Sequence, residues 1–245
     1  MPDVREQVPL SGFTTLGLGG PARRFVPAGT DAGLIAAVRA ADNRGEPLLI
    51  LGGGSNLVIA DEGFPGTVIQ VATAGMQAGP GPDGRSAPVT VAAGEDWDGV
   101  VARCVASGLA GLECLSGIPG RAGATPIQNV GAYGQEVAET ITTVRVYDRK
   151  AGEVTDLGAA DCGFGYRTSA FKRDASGRYV VLAVTFRLAR DQLSAPVRYP
   201  ELARALGVAE GGRAPLAAVR AAVLGLRRGK GMLLDPGDPD SRSAG

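Results

Sequence analysis

Four clusters of residues have the types and spacing to do chemistry. The first is Gly52-Gly53-Gly54-Ser55-Asn56, set between the apolar runs Leu48–Leu51 and Leu57–Ala60. With no Cβ in the way, successive backbone N–H groups can converge on a phosphate, and Ser55 and Asn56 add side-chain donors. A plain tight turn would use the same residues. No Gly-Lys-Ser/Thr follows, so this is not a P-loop. Gly17-Leu18-Gly19-Gly20-Pro21-Ala22 spells G-x-G-x-x-A, yet it follows no predicted strand and contains Pro21.

The second cluster is the long segment from Gly117 to Gly134, whose only charge is Arg121. Loops beyond about 12–15 residues without structure of their own are usually functional or disordered, and the apolar content here argues against disorder. Thr125, Gln128, Asn129 and Tyr133 offer hydrogen-bonding groups on a glycine-rich backbone, which suits a flat polar heterocycle with a pyrophosphate tail. An irregular packed connection is the alternative. The third cluster, Cys162 to Lys172, holds Arg167, whose guanidinium forks naturally onto a carboxylate; a solvated surface arginine is the plainer reading. The fourth comprises Tyr199 and, in Arg227-Arg228-Gly229-Lys230, a basic end of a helix that the helix dipole alone would explain.

The elements that must position these residues read as follows. Thr30 caps a helix with Leu34, Ile35, Val38 and Ala41 on one face and Gly45 as its stop. Strands are expected at 47–51, 57–60 and 67–71, giving a β-α-β-β opening lobe. The Gly-, Pro- and Ala-rich residues 72–88 read as a boundary or exposed loop. Beyond them come a strand at 89–93 and a helix carrying Trp97, Val100, Val101, Cys104 and Val105 up to Gly108. Strands are expected at 143–147 and 179–188. A last helix starts at Pro215 with Leu216, Val219, Val223 and Leu226 as its stripe.

Composition removes several classes of chemistry. The chain of 245 residues has no histidine, which excludes His-based triads and His-ligated zinc from this span. Cys104, Cys114 and Cys162 form no C-x-x-C pair and read as small buried hydrophobes, so no metal site is expected. The 25 basic and 25 acidic residues cancel, giving no chain-wide attraction to nucleic acid or an anionic membrane. Neither a secretory leader nor a spanning segment is evident, so a cytoplasmic location is expected.

In their order, these segments resemble the UDP-N-acetylenolpyruvoylglucosamine reductases, enzymes of peptidoglycan precursor synthesis. The matching pieces are Thr14-Thr15-Leu16-Gly17, Gly52 to Leu57, Ala93-Gly94-Glu95-Asp96-Trp97, Ile118-Pro119-Gly120 through Pro126 to Gly134, Phe164-Gly165-Tyr166-Arg167 with Phe171-Lys172, Asp235-Pro236, and Ser243-Ala244-Gly245. The resemblance implies an α+β FAD-binding fold of the vanillyl-alcohol oxidase and p-cresol methylhydroxylase type. Residues 1–71 and 72–230 would be its two FAD-binding subdomains, and 231–245 the start of a substrate domain. It implies FAD contacts from Gly52, Gly53, Gly54, Ser55, Asn56, Leu57, Ile118, Pro119, Gly120, Gly123, Ala124, Thr125, Ile127, Gln128, Asn129, Gly131 and Tyr133. Without His, the flavin is expected to be held non-covalently.

Substrate contacts are implied for Tyr166, Arg167, Tyr199 and Lys230. NADPH would reduce the flavin and leave, and UDP-N-acetylglucosamine enolpyruvate would take its place. Arg167 would hold the substrate carboxylate as charge develops there, which makes it the catalytic residue of this span. The family's proton-donating serine directly after Ser-Ala-Gly, and a later glutamate, would lie past Gly245, so the resemblance implies a shortened chain. A monomer acting on small molecules is expected. Another FAD sugar or lactone oxidase, or a non-catalytic FAD-binding fragment, remain alternatives at this point.

Overall fold

A computed structural model of the chain describes residues 3–81, 84–174, 177–235, 237 and 241. Pro236 and Ser243-Ala244-Gly245, named above, lie outside the described residues. The first lobe runs β1 (Arg5–Pro9), β2 (Pro21–Ala28), α1 (Asp31–Asn43), β3 (Leu48–Leu51) and β4 (Phe64–Val71). Its sheet order is β1-β2-β4-β3, with β2 and β3 parallel to β4 and β1 antiparallel to β2. Thr30 accepts from the Gly33 N–H and starts α1, and Gly45 at φ +63° follows its end. Leu34, Ala37, Val38 and Ala41 are its buried positions.

The lobe departs from β-α-β-β in two ways. First, β1 and β2 were not expected. Arg23, Arg24, Pro21 and Pro27 interrupt the apolar pattern of β2, although Ala22, Phe25, Val26 and Ala28 are buried. Second, Leu57–Ala60 is not a strand. Its apolar side chains Leu57 and Ile59 instead pack beside Leu10, Ala22, Phe25, Leu51 and Val68. Apolarity there marks packing for Leu57 and Ile59, which are half-buried, but not for Val58, which is 76% exposed, and it predicted the conformation wrongly. The G-x-G-x-x-A letters serve packing: a Cβ on Gly20 would collide with the backbone at Asp61 and Gly63.

The second lobe follows as β5 (Met76–Ala78), β6 (Ser86–Ala92), α2 (Trp97–Ala106), β7 (Leu109–Ala110), β8 (Gly131–Ala132), β9 (Gln135–Glu136), β10 (Ile141–Asp148), β11 (Glu153–Gly158), α3 (Ala170–Arg173) and β12 (Tyr179–Arg190). The main sheet order is β11-β10-β12-β6-β5, antiparallel throughout, with β7 beside β12. The stretch 72–88 therefore carries β5 and the start of β6 rather than loop alone. The helices α4 (Pro200–Leu206) and α5 (Leu216–Gly229) close the described chain, packed around Cys114, Val197, Leu202, Ala203, Ala214, Val219 and Val223.

The lobes share one hydrophobic core, in which Val26, Leu34, Ile69 and Val71 join Val89, Trp97, Val184 and Phe186. Trp97 packs on Phe186 with ring centroids 5.8 Å apart and donates its indole N–H to the Leu115 carbonyl at 3.2 Å. Polar bolts reinforce the seam: Arg149 pairs with Asp42 at 2.5 Å, and Arg39 donates to the Tyr147 hydroxyl at 3.0 Å.

At the end of β10, Asp148 accepts from Arg178 and from the N–H groups of Lys150 and Ala151. The Arg178 guanidinium, with those N–H groups, lowers its carboxyl to about 2, against the ordinary 3.8. A carboxyl depressed on folding contributes stability that is present above its unfolded value and lost as pH falls through its folded value. Asp148→Asn should therefore be less stable than the wild type above about pH 4, and the gap should shrink towards pH 2. Urea unfolding at a series of pH values checks this; a gap independent of pH would contradict it.

Candidate functional site

A cavity of about 800 Å³ draws its wall from both sheets and from the ends of α4 and α5. On one side lie Gly52, Gly53, Gly54, Ser55, Asn56 and Leu57; on the other lie Ile118, Pro119, Gly120, Gly123, Ala124, Thr125, Ile127, Gln128, Gly131 and Tyr133. The two segments lean directly on each other. The Ser55 hydroxyl donates to the Pro119 carbonyl at 3.2 Å, and Asn56 donates to Gln128 at 3.3 Å. A Cβ on Gly53 would come within 2.7 Å of Gly120 Cα. Gly54 has φ +63°, and a Cβ there would meet the backbone of Phe13 and Thr14. Glycine is required at both positions.

The N–H groups of Gly53, Gly54, Ser55, Asn56, Gly120 and Arg121 donate to no group among the described residues. They are a ready set of donors for an anion between two close-packed stretches of main chain. Arg121, Arg167, Lys172, Arg227 and Lys230 line the cavity, and among the described residues no Asp or Glu does. Apolar walls come from Ile50, Val71, Trp97, Val181 and Met232. A polyanion with a flat, apolar-faced ring meets matching chemistry on every side. FAD is such a molecule, so the residues present fit it.

The substrate-side residues gather at the same cavity. Gly165 and Thr168 exchange backbone hydrogen bonds of 3.0 and 3.2 Å, making a tight hairpin whose tip is Tyr166-Arg167. Arg167 sits at φ +53°, a left-handed conformation that non-glycine residues adopt at a cost and that concentrates at working sites. Lys172 donates to the Arg167 carbonyl at 3.0 Å, while among the described residues the Arg167 guanidinium has no protein partner. Tyr199 precedes α4 and meets Tyr133 edge-on, with ring centroids 5.4 Å apart. Lys230 pairs with Glu201 at 2.6 Å and lies 5.7 Å from the Tyr133 ring centre.

Of the residues singled out in the sequence, Asn129 alone is absent from the wall. Its side chain is buried, donates to Glu136 at 2.6 Å and to the Gly165 carbonyl at 3.0 Å, and accepts from the Ala138 N–H at 3.1 Å. An amide with every polar atom committed has nothing left for a ligand. Instead it bolts the 118–133 segment to the Arg167 hairpin, helped by Ser169, whose hydroxyl donates to the Ile127 carbonyl at 2.5 Å. The Thr125 hydroxyl is likewise spent, on the Ala122 carbonyl at 2.8 Å.

Sequence reasoning missed Arg121, Lys172 and Arg227 as parts of this wall. Arg227 is buried, donates to the carbonyls of Gly117 and Met232, and has its pKa lowered by burial. Helical spacing after Val223 admits either 226 or 227 on the stripe; the sequence favoured Leu226, and the structure buries Arg227 and leaves Leu226 half-buried. Burial pushes the thiols of Cys104 and Cys114 up to about 12 and that of Cys162 to about 11, and none of the three lines the cavity. Among the described residues no cluster fit for a metal ion occurs, and no helix is long and apolar enough to cross a membrane.

Comparison with known proteins agrees with this chemistry. A family described as "FAD binding domain" matches residues 22–158. The UDP-N-acetylenolpyruvoylglucosamine reductase of Thermobifida fusca is 61% identical over 239 residues, covering 97% of this chain and 66% of that protein. Its counterpart in Mycobacterium sp. is 51% identical, covering 99% of this chain and 67% of that protein. The chain spans 66%, 64% and 60% of the length of the first three curated relatives. Among solved structures, UDP-N-acetylenolpyruvylglucosamine reductase from Thermus caldophilus superposes with a TM-score of 0.67 at 28% identity, over 94% of this chain and 71% of that one. A cholesterol oxidase from B. sterolicum shares the fold at TM-score 0.59 and 12% identity, over 78% of this chain and 38% of that one. The fold is therefore the expected α+β FAD-binding type, and the chain belongs to the UDP-N-acetylenolpyruvoylglucosamine reductase family of FAD-binding-domain proteins.

Proposed function

We propose that the chain holds FAD non-covalently in this cavity and serves the NADPH-dependent reduction of UDP-N-acetylglucosamine enolpyruvate to UDP-N-acetylmuramate. In this reading it acts in the cytoplasm as a monomer. Residues 1–71 and 72–230 form the two FAD-binding subdomains, and 231–245 begin a substrate domain. The observation that carries the reading is that one cavity joins a main-chain cradle, unpaired among the described residues, to the Tyr166-Arg167 hairpin, Tyr199 and Lys230, with cations and, among the described residues, no carboxylates on its wall.

Bound flavin supplies hydride chemistry; the chain's residues supply binding and charge. The cradle donors of Gly53, Gly54, Ser55 and Asn56 receive the diphosphate. Arg167, with its guanidinium uncommitted, takes the substrate carboxylate in a two-pronged grip and stabilises negative charge that grows beside it during reduction. Lys230 exchanges Glu201 for the nucleotide-sugar diphosphate. Tyr199 and Tyr133 close over that end and exclude water. Anaerobic addition of NADPH to the FAD-loaded chain should bleach its visible absorption, and the enolpyruvyl nucleotide should perturb the oxidised spectrum saturably. Failure of both would refute the proposed reaction even if FAD binds.

A further inference from the structure

Arg121 is the sole charge between Gly117 and Gly134, and the reading above leaves it without a task. Its backbone is fixed on both sides. The Trp97 N–H donates to the Gly120 carbonyl at 3.1 Å, and the Ala122 N–H donates to the Glu95 carbonyl at 2.9 Å. Its stem lies along the glycine loop, since Arg121 Cβ and Cγ are 3.7 Å from where a Cβ on Gly52 would stand. From there the side chain reaches the cavity wall.

The other cations of the wall are committed or placed elsewhere. Lys230 is on Glu201, Lys172 on the Arg167 carbonyl, and Arg227 on two carbonyls, while Arg167 stands on the distant hairpin. The Arg121 guanidinium has no hydrogen-bond or ion-pair partner among the described residues, and its backbone carbonyl accepts only from the Ala124 N–H at 3.0 Å. The nearby Glu95 carboxylate is spent on Arg103 at 2.5 Å and on the Gly75 N–H at 2.7 Å. A half-buried arginine whose stem lies against Gly52, in the wall shared with a cradle of N–H groups unpaired among the described residues, offers a site for a phosphate, and its planar fork suits two oxygens at once.

We propose that Arg121 is the side-chain anchor of the flavin dinucleotide's diphosphate, adding a full charge where the glycine loop offers only main-chain dipoles. This rests on the FAD reading and gives the main-chain cradle a formal charge that its glycines do not supply. Charge-assisted hydrogen bonds of this kind change affinity roughly ten- to hundredfold.

The test measures dissociation constants of the flavin-stripped full chain for FAD and for riboflavin, which has no phosphate, across a salt series. Arg121→Gln should weaken FAD roughly ten- to hundredfold, flatten its salt dependence and leave riboflavin unchanged. Arg121→Lys should recover part of the loss and most of the salt dependence. Arg145→Gln, on an exposed face of β10, should match the wild type. Unchanged FAD affinity in Arg121→Gln, or equal losses for FAD and riboflavin, would overturn the assignment. A wild-type chain that takes up no FAD would bring down the FAD reading as well, a separate and recognisable result.

Discussion

Gly54→Val is expected to leave the purified chain without flavin. Gly54 is at φ +63°, where a β-branched residue is strongly disfavoured, and its added carbons would strike the backbone of Phe13 and Thr14. Relief requires the loop to move, which displaces the N–H groups of Gly53, Ser55 and Asn56 that are proposed to receive the diphosphate. The backbone conformation alone costs about 1–2 kcal/mol, and displaced donors add to it, so FAD affinity should fall by about a hundredfold or more. Flavin retained per chain after gel filtration, beside far-ultraviolet circular dichroism to establish folding, measures the effect. A folded variant with wild-type flavin content would contradict the role given to the loop.

Arg167→Lys gives the second large effect, and its value lies in which half of the reaction it touches. The side chain stands on a hairpin tip that Gly165, Thr168, Asn129 and Lys172 hold in place, so a lysine there keeps the position and the charge. What it loses is the fork. Donors aimed at developing charge contribute about 3–4 kcal/mol, so reoxidation of the reduced flavin by the enolpyruvyl substrate should slow by about 100-fold or more. Reduction of the flavin by NADPH should change little. Rapid-mixing measurement of the two half-reactions separates them, and equal losses in both would remove Arg167 from its proposed role.

The parts of this protein written most plainly in its sequence are those where a single residue type is physically required. Gly53 and Gly54 advertise a close approach because only an absent Cβ permits it, and Thr30 marks the start of α1 because its hydroxyl replaces a missing backbone acceptor. Elements whose identity depends on distant partners were harder to read. The strand β2 hides behind Arg23, Arg24 and two prolines because its ladder is set by β4, some forty positions away in the chain. Leu57 and Ile59 look like a strand for the opposite reason: they are apolar to fill a small core beside Phe25, with no ladder to join.

The same distinction runs through the site. Gln128 and Tyr133 reach the cavity as their chemistry suggests, whereas Asn129, between them, turns inward at φ +49° to clamp Gly165, which is 36 positions on. Adjacent residues in an irregular segment point in different directions, and no period tells which faces the ligand. Arg227 and Arg121 were legible only in hindsight of packing: one completes a buried stripe, the other lies across a glycine loop from another part of the chain. Charge on an otherwise uncharged segment was the clue that the sequence did contain.

The proposed flavin site depends on main-chain N–H groups at 53–56 and 120–121 that have no partner among the described residues. Visible absorption of the chain after incubation with FAD and removal of free ligand reports on them directly. A yellow protein carrying close to one equivalent of flavin is expected, with the flavin released intact on denaturation if it is held non-covalently as proposed. A folded chain that emerges colourless from the column would contradict it.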